Sequence, residues 1–349
     1  MHPFKARFSQ LLDRMKEVEV DGLLVGHLPN LRYLFGFSGS QALALIIDRE
    51  ALLLVDSRYI DQAQKEVTNC QPVLSTPSLV HQLRELFTKH CRRRRVAVEA
   101  ERIPYELVLR MESWGTDTNL VPTYGLIEEL RSIKDDSEID ILREGFQLAR
   151  SSLQTFLAEF RPGISENEAA AKLEYECRKA GSSGSAFDTI IASGSRSALP
   201  HGIASQKRIQ ADEPVVIDFG IRHQGYCTDM TRVLHRDLPE VIKIYSIVEE
   251  AQKAALDQIR PGVSSTEIDG AAREVITRHG YGPCFGHSTG HGLGLEVHEK
   301  PAISSRLPCT IEAGMVFTVE PGIYLPGQFG VRIEDVVVVT PNGYTLLSQ

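Results

Sequence analysis

Four acidic residues interrupt the most apolar stretches in the second half of this 349-residue chain. Asp218 falls near the end of Pro214-Val215-Val216-Ile217-Asp218-Phe219-Gly220, and Asp229 follows in Tyr226-Cys227-Thr228-Asp229-Met230-Thr231-Arg232. Glu320 closes Gly314-Met315-Val316-Phe317-Thr318-Val319-Glu320, and Glu334 follows in Gly330-Val331-Arg332-Ile333-Glu334-Asp335. The spacing is 11 residues in the first pair and 14 in the second. A carboxylate in such a strand is costly unless it is paired or binds a metal. Histidine supplies a neutral ligand: the chain has 11, and His287, His291 and His298 share one glycine-rich run. Four carboxylates with one imidazole form an oxygen-rich donor set for two divalent ions, two carboxylates bridging and the rest terminal. Paired ions about 3.5–4 Å apart polarise a carbonyl and turn bound water into hydroxide near neutral pH, which is hydrolytic chemistry.

The elements that must position these residues are repeated. Arg161-Pro162-Gly163-Ile164-Ser165 recurs 99 residues later as Arg260-Pro261-Gly262-Val263-Ser264. Each copy runs into a capping box, Ser165 with Glu168 and Ser264 with Glu267, and each predicted helix stops at a glycine, Gly181 or Gly280. The C-terminal part therefore reads as two copies of one α/β unit, with a ligand site where the halves meet. The first ~130 residues read as a separate α/β domain. In it, strand-like runs at Asp21–Gly26, Ala42–Ile47, Ala51–Asp56 and Val96–Glu99 alternate with helical spacing over Tyr59–Val67 and Ser78–Lys89. The acidic cluster Asp135-Asp136-Ser137-Glu138 opens an amphipathic helix. The expected domains are 1–131 and 132–349, and the fold class is α/β (α+β).

Composition narrows the function. With 38 basic against 46 acidic residues and a formal net charge of -8, the chain lacks the clustered basic excess of a nucleic-acid binder. Arg92–Arg95, the one compact basic run, reads as a solvated turn. No apolar run approaches the ~18 residues of a membrane span, and the stretch from Met1 to Arg7 lacks a signal peptide's apolar core. Six scattered cysteines without a C-x-x-C pair fit a reducing cytoplasm. Asp218-Phe219-Gly220 spells a kinase motif, but its partner motifs are missing, and no serine nucleophile elbow is present.

The order Asp218, Asp229, His291, Glu320, Glu334 resembles the pita-bread metallopeptidases, which include methionine aminopeptidase, aminopeptidase P and prolidase. Asn30–Ser40 and Asp56-Ser57-Arg58-Tyr59 resemble the creatinase-type N-terminal domain of the Xaa-Pro branch, a domain that methionine aminopeptidase lacks. The resemblance implies an N-terminal creatinase-like domain followed by a pseudo-twofold duplicated catalytic domain. It implies two divalent metal ions, manganese foremost, with cobalt and zinc as alternatives. Asp229 and Glu334 would bridge them, Asp218 would complete one, and His291 and Glu320 the other. Glu320 would also take a proton from the attacking water. His298 would stabilise the tetrahedral intermediate, His287 would position substrate and leaving group, and His201 would contact substrate. Arg332, grouped with these substrate-side residues, would orient ligands by hydrogen bonds. Substrates would be short peptides with proline second, and the protein a cytoplasmic homodimer.

Aminopeptidase and dipeptidase differ in one requirement: a dipeptidase must clamp the free carboxylate of a two-residue substrate. Several short prolidases resemble one another in an H-E-x-P-R pattern, but here the run is His298-Glu299-Lys300-Pro301-Ala302, without that arginine. The expected activity is therefore Xaa-Pro aminopeptidase, with Xaa-Pro dipeptidase as the alternative. A non-catalytic pita-bread binding protein is the distant third, disfavoured because all five ligand positions are kept. Glu320→Gln or His291→Ala is expected to abolish cleavage before proline while circular dichroism stays unchanged. Undiminished turnover in either variant would overturn the site.

Overall fold

A computed structural model describes residues 3–234 and 237–349. Met1, His2, His235 and Arg236 lie outside it, so the start of the stretch read above for a leader is not described. The chain divides into two compact units, Met1–Arg131 and Ser132–Gln349.

The first unit holds a mixed six-stranded sheet, ordered Gln71–Leu74, Glu50–Val55, Leu43–Ile47, Gly22–Val25, Arg95–Glu99, Asn119–Thr123. The four expected strands occupy its centre, where apolar residues face the packing helices. Leu24, Leu45, Leu54 and Val98 bury against Phe87 of helix Leu79–His90 and Met111 of helix Tyr105–Glu112. The two strands that the sequence reading missed are the sheet's edges. Each contains a proline, Pro72 or Pro122, which cannot donate to a ladder and so is tolerated only at an edge.

The second unit is built twice from one plan. Helices α1 (Asp136–Glu159) and α2 (Glu166–Lys179) precede strands β1 (Ile190–Ser193), β2 (Val215–Phe219) and β3 (Met230–Leu234). Helices α3 (Pro239–Leu256) and α4 (Ser265–Arg278) precede β4 (Gly290–Gly292), β5 (Val316–Val319) and β6 (Asp335–Thr340). In both halves the middle strand pairs antiparallel with the other two: β2 with β1 and β3, β5 with β4 and β6. The repeated Arg-Pro-Gly turns make matching bonds. Gly163 N–H donates to the Ile209 carbonyl at 2.8 Å, and Gly262 N–H to the Ile311 carbonyl at 2.8 Å. Both capping boxes form, at Ser165/Glu168 and Ser264/Glu267. Gly181 and Gly280 take φ of 109° and 86°, the left-handed conformation that spares glycine a steric penalty.

This plan delivers the acids. Asp218 lies on β2 and Glu320 directly follows β5, while Asp229 and Glu334 directly precede β3 and β6. Behind β5, Phe317 and Val319 pack with Val248 and Ala251 of α3 and with Ile268 and Ala272 of α4, which makes the strand a rigid support. Among the described residues no helix is long and apolar enough to cross a membrane.

Because the two boxes are equivalent, Ser165→Ala and Ser264→Ala should each cost about 1 kcal/mol. Thermal denaturation should show similar drops, about 2–4 °C apiece for a unit of this size. A loss in one half only would contradict the equivalence.

Candidate metal centre

The local reason for the cluster is strand geometry. Thr231 on β3 pairs with Asp218 on β2, and Asp335 on β6 pairs with Val319 on β5. Each acid at the head of an outer strand is thereby held beside the acid of its central strand. A Cβ on Gly290 would collide with the Thr318 carbonyl oxygen, so the missing side chain lets β4 approach β5 and bring His291 to Glu320.

One cavity of about 430 Å³ collects every residue proposed from the sequence. Asp218, Asp229, His291, Glu320 and Glu334 line it, together with His201, His287, His298 and Arg332. Ligand atoms of Asp229, His291 and Glu334 lie within 4.8 Å of one another. His291 Nε2 stands 3.3 Å from Glu320 Oε1 and 3.6 Å from Asp229 Oδ2. Its Nδ1 meets the Gly292 carbonyl at 3.2 Å; a carbonyl only accepts, so Nδ1 carries the proton and Nε2 presents its lone pair to the acids.

The acids are incompletely satisfied. Arg332 Nη2 donates to Asp218 Oδ2 at 2.5 Å, and the Thr231 hydroxyl donates to Glu334 Oε2 at 2.7 Å. The opposite oxygens, Asp218 Oδ1 and Glu334 Oε1, are buried without a hydrogen-bond partner. Burial and the charges of Glu334, Asp218 and Glu320 push Asp229 well above the usual carboxylate range. Burial with Glu320 and Asp218 does the same to Glu334. Burial also raises Glu320, though His287 and Arg332 temper it, and burial depresses His291. Orphaned buried oxygens, mutually repelling acids and a neutral imidazole are the donor set that a divalent cation satisfies, and its charge would reverse these shifts. The residues fit the ions.

The histidines differ in freedom. His298 is the most open of those in the glycine-rich run, its ring edge-on to His291 with centroids 4.2 Å apart. Partial burial and the neighbouring His291 and His201 push it down to about 4, so it is neutral at physiological pH. His201 is exposed on the segment after β1. His287 faces the cavity with both nitrogens engaged, Nδ1 at 2.8 Å from the Ser288 carbonyl and Nε2 at 2.9 Å from the Tyr324 hydroxyl. A substrate contact through Nε2 therefore has to displace Tyr324. Arg332 is 4% exposed and spends its donors on Thr231, Pro200, Tyr324 and Asp218. That geometry suits orientation of a ligand, not contact with substrate. Sequence reasoning missed Thr231 and Tyr324. A polar residue one place beyond Asp229-Met230 at a strand head could have signalled Thr231; nothing local marks Tyr324, whose burial pushes its hydroxyl up to about 12.

These features define the class. The chain belongs to metallopeptidase family M24, whose family model matches residues 140–341. The Creatinase/Prolidase N-terminal domain model matches residues 7–133. The protein is thus a hydrolase of peptide bonds, and its family implies divalent metal ions. Among curated relatives, it is 37% identical to an Xaa-Pro dipeptidase of Pyrococcus furiosus over 348 residues, 99% of this chain and 98% of that protein. A solved Xaa-Pro dipeptidase from Bacillus anthracis superposes with a TM-score of 0.94 at 38% identity, covering 99% of this chain and 98% of that one. An X-Pro aminopeptidase from Thermotoga maritima gives 0.88 at 39% identity, covering 97% of each.

The elevated acids generate a stability prediction. A carboxyl whose pKa is raised on folding keeps its proton where the unfolded chain has lost it. Its stabilisation is full below the unfolded value and disappears as pH rises through the folded one. Metal-free Asp229→Asn should therefore exceed metal-free wild type in stability at pH 8 by on the order of 1–3 kcal/mol, with a smaller gain at pH 5. Divalent metal should raise the melting temperature of wild type at pH 8 but not that of the variant. Calorimetry with and without chelator checks both; a variant less stable than metal-free wild type at pH 8 would contradict the repulsion.

Proposed function

We propose that this protein is an Xaa-Pro dipeptidase working with two divalent metal ions, manganese foremost and cobalt or zinc as alternatives. The carrying observation is the buried cluster of Asp218, Asp229, His291, Glu320 and Glu334 in one cavity. Likeness to Xaa-Pro dipeptidases over nearly the whole chain supports the substrate. We favour this reading over the expected aminopeptidase, which rested on Ala302 standing where short prolidases carry an arginine. Ala302 pairs with His291 across the strands, so its position is next to the centre and supplies no cation. Lys300, exposed two residues earlier, is the nearest cation in sequence for a substrate carboxylate.

Asp218, Asp229, His291, Glu320 and Glu334 would hold the ions. The bound ions would supply Lewis acidity toward the scissile carbonyl and an acidified water. Glu320, held by the Thr318 hydroxyl at 3.2 Å, is the group that accepts the proton of the attacking water. His298, neutral and open to the cavity, donates to the oxygen on which charge develops. His287 positions substrate and leaving group, and His201 contacts substrate. Arg332 holds Asp218 and Tyr324 in place. The six cysteines are free thiols, which suits a reducing cytoplasm, and the family resemblance extends the reading to a homodimer with N-terminal domain 1–131 and catalytic domain 132–349.

Purified, metal-reconstituted protein should cleave Ala-Pro in preference to Ala-Pro-Ala, and Lys300→Met should raise KM for the dipeptide more than for the tripeptide. Preference for the tripeptide would establish an aminopeptidase instead.

A further inference from the structure

Each half of the catalytic unit buries an acid of its second helix, outside the metal cluster. Glu166, at the start of α2, is fully buried and accepts from both ends of the segment that follows β1. At the near end, the Ser193 N–H and hydroxyl both reach Oε1 at 2.8 Å. At the far end, the Ser205 hydroxyl reaches Oε2 at 2.6 Å, and Arg196 Nε donates to the same oxygen at 2.9 Å. His201 rides on the span so closed. Asp269, inside α4, is also fully buried. It accepts from the Thr289 N–H at 3.1 Å and hydroxyl at 2.9 Å, and from Arg273 Nη2 at 2.8 Å. Arg273 in turn donates to the Phe285 carbonyl at 3.1 Å and the His287 carbonyl at 2.9 Å, and its guanidinium lies 4.4 Å from the Phe285 ring. Phe285 stands edge-on to His287, with centroids 5.0 Å apart.

Neither acid sits at an equivalent repeat position: Glu166 is the first residue of its helix and Asp269 the fifth. The halves have reached one solution from different places, an acid on the second helix that ties down a histidine-bearing loop. Burial works to raise both carboxyls, and their hydrogen bonds outweigh it, so both remain charged anchors. Thr289 keeps its place in the sheet without Asp269, because its N–H also donates to Ile303 and its carbonyl accepts from Glu320. Loss of the Asp269 charge therefore loosens 285–287 and leaves the metal-facing strand held.

We propose that Glu166 and Asp269 are positioning residues, each fixing the substrate-side histidine of its own half, His201 or His287. The proposal rests on the reading of those histidines as substrate contacts. Its test is a crossed set of double mutants in the metal-loaded enzyme. Asp269→Asn should lower kcat/KM for Ala-Pro at least tenfold in the wild-type and His201→Ala backgrounds, and less than twofold in His287→Ala. Glu166→Gln should show the mirror pattern, silent only in His201→Ala. Metal content should stay at the wild-type value in both. Equal losses in every background would mark a general structural role and overturn the proposal. Crystal structures of the two single variants provide a readout independent of turnover. Asp269→Asn should displace the His287 ring and leave His201 unmoved, and Glu166→Gln the reverse; unmoved rings overturn the proposal. If wild type cleaves no Xaa-Pro peptide while the rings move as stated, the substrate reading fails and the positioning stands. Arg273→Gln and Arg196→Gln, at partly exposed sites, replace either variant that fails to fold.

Discussion

Four carboxylates forced together away from water are the constraint on which the rest of the catalytic unit depends. Left alone they repel, and two of their oxygens have no partner. A chain that keeps such a cluster needs a support stiff enough to resist its relief. The duplicated sheets provide it, each with an acid on or beside its central strand and another at the head of an outer strand. Arg332 and Thr231 satisfy one oxygen of Asp218 and of Glu334 and leave the other turned inward. Stability is given up locally, and cation affinity is what the arrangement gains.

Supports of this kind are themselves polar and buried. Arg332 links Asp218 to Tyr324, and Tyr324 reaches His287, so an acid of one half is tied to a histidine of the other through two side chains. Asp335, next to Glu334, is held by Arg232 at 2.9 Å and by the Ser348 hydroxyl at 2.7 Å, which fixes the strand head from behind. In a buried network each member is expensive to orphan, which keeps the group in one arrangement.

Much of this was legible because the signals are local. A charge in an apolar strand stands out, and Asp218, Asp229, Glu320 and Glu334 were all found that way. The Arg-Pro-Gly turns, the capping boxes and their terminal glycines lie within a few residues of one another, so the duplication could be read before any fold was known. Tyr324, Glu166 and Asp269 were not legible, since their partners are brought near only by the tertiary fold. Pro72 and Pro122 hid two strands because proline argues against a strand until the edge position is known. The choice between dipeptidase and aminopeptidase turned on a single cation at residue 302. Its absence favours an aminopeptidase without excluding a dipeptidase, since a carboxylate can be met by a cation from elsewhere in the chain.

The central claim, that the cluster is kept unsatisfied for the sake of two divalent ions, is tested most directly by anomalous diffraction from manganese-loaded crystals. The account predicts two anomalous peaks per chain, both within coordination distance of carboxylate oxygens from Asp229 and Glu334. No peak there, with the metal bound elsewhere or not at all, would contradict it.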